Sequence, residues 1–288
     1  NNIILSGARG LGKSEIAVTI SLYLMYILMC LKDPYSYLNL KPTERIVFAF
    51  MNITEDLAYD IGVNKFQNTV QASPWFMARG TITGRTNRIW NPPDFINIVV
   101  GSQPRHVIGL PVVFAFFDEI SFIANKNIEE QKRKAIDMID TAIGGMKTRF
   151  TNKGKNPSIL VLASSKRSDK SFLEVHTKKK LEHDGANTIV VDEPVWNVRP
   201  ASEYSGKKFW VAQGNRFLAS EVIPDGADIK PYRDKGYTLL QVPIEYIANF
   251  KEDIDRALCD YAGVSSSDLT KYIAGSRLQA VKNLNRKN

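Results

Sequence analysis

The sequence is poor in cysteine and holds none of the patterns that mark secreted or repetitive proteins. Its 288 residues include two cysteines, Cys30 and Cys259, which match no metal-ligand spacing. Two cysteines also predict no disulfide framework, which favours a reducing compartment. No signal peptide, internal repeat or low-complexity tract is visible. A small disulfide-stabilised fold and a repeat protein are therefore excluded.

Long apolar runs are also scarce. The chain is 44% hydrophobic and 24% charged, the composition of a soluble globular protein with one large domain or a domain plus an appendage. Its most apolar stretch, from Ile16 to Leu31, contains a serine and three threonine or tyrosine residues. We expect a buried core helix there and no membrane partner.

A phosphate-binding loop stands near the start of the chain. The spacing G-x-x-x-x-G-K-S lies between an apolar run, Ile3 to Leu5, and a helix predicted to begin near Lys13. The alternative is a chance glycine-rich turn, which the full spacing and the flanking strand and helix disfavour. The loop residues predicted to bind phosphate are Gly7, Ala8, Arg9, Gly10, Leu11, Gly12, Lys13 and Ser14. Lys13 is expected to reach the β/γ-phosphates and Ser14 to bind Mg²⁺, so the sequence predicts a nucleoside triphosphate site.

A second motif follows roughly 105 residues later. The run Val112 to Phe117 is wholly apolar and ends in Asp118 and Glu119, the pattern of a Walker B strand. Acids at the carboxyl end of a buried parallel strand lie where open α/β sheets bind ligands. Asp118 is expected to hold Mg²⁺ through water and Glu119 to deprotonate the attacking water. A core strand ending in a charged loop is the alternative, which the upstream phosphate loop disfavours.

A further strand, Ser158 to Ala163, ends in Ser164 and Ser165. Hydroxyl groups at such a strand end suit a γ-phosphate sensor, although spacing alone equally allows a serine that caps the next helix. Strands alternate with helices along most of the chain. The sequence therefore predicts an α/β P-loop NTPase fold of the RecA/ASCE type, with a mostly parallel central sheet flanked by helices on both faces.

The positive charge is concentrated in one region. Between Lys147 and Lys180 ten basic residues stand against two acidic ones, an excess equal to the formal net charge of +8 of the whole chain. Such a band suits a phosphate backbone, and the candidate DNA contacts are Lys166, Arg167, Lys178, Lys179 and Lys180. A solvated surface is the alternative. No zinc finger, RNA-recognition signature or helix-turn-helix is visible, so any contact is expected to be independent of sequence.

The order of these motifs resembles the ATPase domain of large terminase subunits, the DNA-packaging motors of tailed bacteriophages. The resemblance is carried by G-A-R-G-L-G-K-S, by G-S-x-P-R…I-G-L-P before an apolar strand ending D-E-I-S, and by L-V-L-A-S-S. The segment from Pro243 to Val264 is similar to the stretch that leads towards the nuclease domain of that family.

The resemblance implies an ATPase that uses ATP and Mg²⁺, with Glu119 as its catalytic carboxylate. Ser164 and Ser165 match the motif that couples hydrolysis to DNA movement. Arg9 matches the loop arginine of the family, which can sense the γ-phosphate. Arg105 is the candidate for an arginine finger reaching a neighbouring subunit's ATP, with a surface or salt-bridged arginine as the alternative.

The same resemblance implies partners and domain limits. An ATPase domain is expected over residues 1–242, its adenine-binding part missing, followed by a linker over 243–288 that leads towards an absent nuclease domain. The carboxylate pairs Asp192–Glu193 and Asp253/Asp255 are interpreted as surface charge, so no nuclease activity is expected. Implied partners are double-stranded DNA, a portal protein and a small terminase subunit. A homo-oligomeric ring, a pentamer, is expected in the host cytoplasm, transiently at the procapsid portal vertex, and a monomer in isolation.

Two other functions fit part of the pattern. A helicase or other nucleic-acid-dependent P-loop ATPase would need strand-separating motifs and a second RecA-like domain, for which 288 residues leave little room. A nucleotide-dependent switch or assembly module would act on a protein partner. Glu119 disfavours a simple switch, because an acid beside the Walker aspartate suits repeated turnover.

Overall fold

The computed structural model describes residues 1–79, 81–82, 90–91, 95–122, 128–151, 155–166, 172–215 and 217–265. Arg167 and the end of the chain from 266 onward lie outside these residues. The chain forms two compact units. Unit 1 contains residues 1–5, 12–164 and 176–190, and unit 2 contains residues 6–11, 165–175 and 191–288.

Eleven strands are present in the described part of the chain. They are β1 (Asn2–Gly7), β2 (Ile46–Met51), β3 (Thr81–Ile82), β4 (Trp90–Asn91), β5 (Ile96–Gly101), β6 (Val112–Phe117), β7 (Ile159–Ala163), β8 (Thr188–Glu193), β9 (Lys208–Gln213), β10 (Glu221–Val222) and β11 (Thr238–Pro243). Six of them form the main sheet in the order β5-β2-β6-β7-β1-β8. The pairings of β2 with β5 and β6, and of β7 with β6 and β1, are parallel. The predicted α/β fold with a mostly parallel central sheet is confirmed.

The centre of this sheet is made by the two most apolar strands. All six residues of β2 and all six of β6 are buried, as continuous apolar runs in a parallel sheet predict. Their phenylalanines pack across the strands, with the rings of Phe48 and Phe114 5.8 Å apart. The strand β7 lies between β6 and β1. The residues that follow β6 and β7 therefore emerge side by side at the carboxyl edge.

Eleven α-helices connect and cover these strands in the described residues. They are α1 (Lys13–Cys30), α2 (Pro34–Leu38), α3 (Glu55–Leu57), α4 (Asn64–Ala72), α5 (Pro74–Met77), α6 (Ile128–Phe150), α7 (Phe172–Asp184), α8 (Val195–Val198), α9 (Lys230–Asp234), α10 (Ile247–Glu252) and α11 (Ile254–Asp260). A π-helical turn, Ala58–Val63, joins α3 to α4. Thr54 caps α3 by accepting a hydrogen bond from the Leu57 N–H at 3.2 Å.

Helix α1 is the one described helix whose length and composition would suit a membrane span, with a mean hydropathy of 1.4. Its apolar residues Ala17, Val18, Met25 and Leu28 are nevertheless buried inside the protein. The helix follows the phosphate loop directly and contacts β7 and α4. This burial is what the sequence predicts for a core helix.

Unit 2 has a small antiparallel sheet of its own, in the order β10-β9-β11. Its core joins Val211 and Val242 of the sheet to Phe250, Ala257 and Leu258 of the helices α10 and α11. The patterns in the sequence do not predict this sheet. The predicted domain limit between residues 242 and 243 falls inside β11.

Candidate nucleotide-binding site

The second half of the phosphate loop belongs to unit 1 and opens helix α1. Gly12 has a left-handed backbone with φ 73° and stands at the N-cap, where no side chain caps the helix. Lys13 and Ser14 form the first turn, whose N–H groups point out of the helix along its axis. Lys13 is buried and Ser14 is half-buried. A helix start of this kind can bind anions, and phosphate binding by Lys13 and Ser14 stays a prediction.

The first half of the loop belongs to unit 2 and is fixed by backbone contacts. Gly7 has φ 93°, and a Cβ there would lie 2.6 Å from the carbonyl oxygen of Glu193. The Ala8 N–H donates to that same carbonyl at 3.1 Å, and the Arg9 N–H donates to the Asp260 carbonyl at 2.8 Å. The sequence predicts that these two amides face phosphate, whereas in the structure they bind carbonyl oxygens. Phosphate binding by the other residues of the loop stays a prediction.

The side chain of Arg9 also forms a contact within unit 2. Its Nε lies 3.0 Å from Oδ1 of Asp260, and the arginine side chain remains 54% exposed. Ala8 and Leu11, on either side, pack with Val195 in a small apolar cluster. The role of Arg9 as a γ-phosphate sensor stays a prediction, which requires the side chain to exchange Asp260 for phosphate.

Ser14 and Asp118, 104 residues apart in sequence, meet within unit 1. The Ser14 hydroxyl donates to Oδ2 of Asp118 at 3.0 Å. Asp118 follows β6 and is only 6% exposed. Burial, and next the negative charge of Glu119, raise the pKa of Asp118 to about 6. A hydroxyl oxygen beside a carboxylate whose charge is poorly solvated fits Mg²⁺, which prefers oxygen ligands.

No group of three or more His, Cys, Asp or Glu residues that could hold a metal exists within the described ranges. A magnesium ion here would therefore rely on the Ser14 and Asp118 oxygens, with phosphate oxygens and water completing its shell. The structure does not support a metal cage built from protein ligands alone in that part of the chain.

Glu119 adopts a backbone conformation that is rare for a residue with a side chain. Its φ is 49°, in the left-handed region. Its N–H donates to Oδ1 of Asp118 at 3.0 Å, and its Oε2 accepts a hydrogen bond from the Ser164 hydroxyl at 3.4 Å. Residues held in such conformations concentrate at functional sites, where surrounding contacts maintain them. The structure thus joins the predicted catalytic acid to the first residue of the predicted coupling motif.

Ser164 is fully buried at the end of β7. Its Oγ also accepts the Ser121 N–H at 3.4 Å, and its own N–H donates to the Leu5 carbonyl at 3.2 Å. A shift of this serine would therefore be felt both by Glu119 and by the strand that leads into the phosphate loop. Ser165, next to it, is also buried.

Lys166 does not lie where the sequence predicts a DNA contact, and the structure contradicts that prediction. Its Nζ lies 2.6 Å from Oε1 of Glu174 and 2.7 Å from Oδ2 of Asp192, and its side chain is 7% exposed. Burial alone would lower the pKa of the ammonium group, but the hydrogen bonds to the two carboxylates outweigh it and raise that pKa. The sequence analysis interprets Asp192 as surface charge, but in the structure its carboxylate forms an ion pair with this buried lysine.

The remaining predicted residues lie on the surface of unit 1. Arg105 is exposed in a single 3-10 turn, Pro104–His106. No ion pair involves it among the described residues, and its role as a finger stays a prediction. Lys178 and Lys179 are exposed on α7, with Lys180 half-buried. Their contact with DNA also stays a prediction.

Comparison with known proteins places this site in a family. The model of a family described as "Uncharacterized protein MJ0330, N-terminal P-loop domain" matches residues 1–209. No curated protein sequence matches the chain significantly.

Solved structures give a more distant likeness to the large terminase of a thermophilic bacteriophage. Three structures of that terminase each match over 99% of this chain and 75% of theirs. The crystal form 2 structure has 10% identity and a TM-score of 0.39, the ADP complex 11% and 0.40, and the ATP-gamma-S complex 10% and 0.37. A likeness this weak says nothing about the activity of this chain.

The family match covers the phosphate loop, the Walker B strand and the strand that ends in Ser164. These are the elements that carry Ser14, Asp118 and Glu119 in the structure. The chain belongs to the family of the MJ0330 N-terminal P-loop domain.

Proposed function

We propose that this chain hydrolyses ATP with Mg²⁺ and uses the energy to move double-stranded DNA. The observation that best supports ATP hydrolysis is the hydrogen bond between Ser14 and Asp118, with Glu119 next to Asp118. A phosphate loop and a Walker B acid that meet at hydrogen-bonding distance suit metal-assisted phosphoryl transfer. An acid next to the metal-binding aspartate suits turnover, because it can take a proton from water.

Each residue then has a definite task. Lys13 and the helix N-terminus bind the phosphate charge, and Ser14 and Asp118 supply oxygen ligands for Mg²⁺. The metal, when bound, neutralises charge that develops on the transferred phosphoryl group. Glu119 orients the attacking water and accepts its proton. Ser164, which donates to Glu119, links the state of this acid to the end of β7.

The proposed DNA partner rests on charge in unit 1. Lys147, Lys155 and Lys180 line one polar cavity of about 490 Å³, and the described residues around it include no carboxylate. None of these three lysines forms an ion pair with a residue that the structure describes. Arg149, by contrast, is held by Glu44 at 2.7 Å. The available part of the basic band is thus smaller than the sequence indicates, and it remains suited to a phosphate backbone.

We further propose the packaging role that the order of the sequence motifs implies. In it the chain is the motor domain of a large terminase subunit, pumping viral DNA into a procapsid. The portal protein and the small terminase subunit are its proposed partners. The active form is a homo-oligomeric ring, a pentamer, at the portal vertex in the host cytoplasm, and Arg105 acts on a neighbouring subunit.

Steady-state ATP hydrolysis against protein concentration, with and without linear double-stranded DNA, tests the motor proposal. We expect specific activity to rise with concentration and with DNA. We expect Arg105→Ala to lose most of it, since an arginine finger can supply roughly 10³–10⁵ in rate. Activity that is independent of both concentration and DNA, and unaffected by Arg105→Ala, would contradict a ring motor.

DNA binding is tested separately by its salt dependence. Neutralising three phosphate contacts on α7 should lower the slope of log K against log salt by about 2.7, because each contact contributes about 0.9. The variant to test carries alanine at Lys178, Lys179 and Lys180. The matched control carries alanine at three exposed lysines of unit 2, Lys207, Lys208 and Lys230. Equal slopes for variant and control would remove this surface from the proposal.

A further inference from the structure

An asparagine that the motifs do not include lies beside the Walker B acids in unit 1. Asn52 directly follows β2, which pairs in parallel with β6 so that Met51 is opposite Phe117. The Asp118 N–H donates to the Met51 carbonyl at 2.9 Å. Asn52 is therefore level with Asp118 on the adjacent strand, at the usual strand spacing of about 4.8 Å.

The side chain of Asn52 is buried and has its orientation fixed. The residue is 3% exposed, and its Oδ1 accepts the Ile53 N–H at 2.6 Å. Because that backbone group can only donate, the atom that faces it must be the amide oxygen. The NH₂ group is consequently the end that remains, with two hydrogen atoms to donate.

That NH₂ group has no acceptor in the part of the chain that the structure describes. Buried donors without an acceptor are costly and rare, so each one needs an explanation. The Ser121 hydroxyl, two residues after Glu119, is also buried and without a partner there. Two unsatisfied polar groups thus lie near the Walker B acids, one on the adjacent strand end and one two residues after Glu119.

We infer that Asn52 holds the water molecule that attacks the γ-phosphate. The water needs an acceptor for the proton it gives up, which Glu119 provides, and a donor for its oxygen, which the Asn52 NH₂ provides. β2 lies beyond β6 when viewed from the phosphate-loop strand β1. A donor at the end of β2 is therefore farther from the phosphate loop than the Walker B acids are. It is better placed to bind a water molecule beyond the terminal phosphate than to bind the phosphates. This inference rests on the proposed ATP hydrolysis and adds a residue to it.

Four variants separate this role from a merely structural one. Asn52→Ala removes the side chain, and Asn52→Asp keeps the acceptor for Ile53 but loses the NH₂ donor. Asn52→Ser keeps one donor and should recover part of the activity. Asn156→Ala is the matched control, since Asn156 is a partly buried, hydrogen-bonded asparagine three residues before β7, at the opposite edge of the sheet.

We expect Asn52→Ala and Asn52→Asp to lower kcat roughly ten- to hundredfold with little change in KM. A second measurement does not depend on turnover: affinity for ADP with aluminium fluoride, whose planar group mimics the phosphoryl group in line with the attacking water. We expect this affinity to fall by a similar factor, while affinity for ADP alone stays within twofold. The control Asn156→Ala should lose thermal stability but keep both affinities.

Three results would overturn the inference. One is a kcat for Asn52→Ala within twofold of wild type. Another is a loss of ADP affinity as large as the loss of analogue affinity, which would show general damage to the pocket. The last is a wild-type protein without hydrolysis, which would overturn the proposed function as well, whereas the first two leave that function intact.

Discussion

Replacing Asp118 by asparagine should make the protein without ligand more stable at neutral pH. Burial and the charge of Glu119 raise the pKa of Asp118 from its ordinary 3.8 to about 6. The folded state thus binds this proton more tightly than the unfolded chain does, so its stability falls as pH rises from about 4 to 6. At pH 7 the charged form costs the fold about 3 kcal/mol. Asparagine keeps the shape, can accept the Glu119 N–H and cannot ionise.

Urea unfolding of wild type and Asp118→Asn across pH 4 to 8, without Mg²⁺ or nucleotide, measures this effect. The two proteins should be about equally stable near pH 4. The variant should gain as pH rises, reaching an advantage of up to about 3 kcal/mol above pH 7. Asp140→Asn, at an exposed carboxylate on α6, should leave the profile unchanged. A variant that is no more stable than wild type at pH 7.5 would refute the account of Asp118 as a strained, poorly solvated charge.

Two further predictions concern contacts within unit 2. Lys166→Met should destabilise the protein by about 3 kcal/mol in urea unfolding, because it leaves the mostly buried carboxylate of Glu174 without its cation. Lys179→Met, at an exposed lysine, should change stability by less than about 0.5 kcal/mol, and equal losses would contradict the burial of Lys166. Gly7→Ala should lower the free energy of unfolding, measured in urea, by more than about 1 kcal/mol, because φ is 93° and the new Cβ would lie 2.6 Å from the Glu193 carbonyl oxygen. A stability equal to that of wild type would show that the loop can relax around the new side chain.

The parts of the fold that were predicted correctly are those that a short local pattern in the sequence indicates. The strands β2, β6 and β7 are continuous apolar runs, which have few alternatives once they exceed four or five residues between turn signals. The phosphate loop is recognisable because its glycines stand where the backbone takes conformations that other residues rarely adopt, such as the left-handed Gly12 at the start of α1. Motifs of this kind are enough to predict that Ser14 and Asp118 lie at one edge of the sheet.

Contacts between distant residues could not be read in the same way. In the sequence Lys166 is one more member of a basic band, and only the fold brings Glu174 and Asp192 to it. The amides of Ala8 and Arg9 are turned to carbonyl oxygens of residues far along the chain. The strands β9 to β11 are separated by glycine, proline and charged residues, so their pairing left no periodic signal in the sequence.

The most direct test of the account is ATP turnover by Glu119→Gln compared with wild type, measured together with ATP affinity. The structure gives Glu119 a left-handed backbone, a hydrogen bond from Ser164 and a place beside Asp118. We predict Mg²⁺-dependent turnover by wild type and a roughly 10²–10⁴-fold slower variant that binds ATP as tightly. A Glu119→Gln protein that turns over ATP at the wild-type rate would contradict the central claim that this acid performs the chemistry.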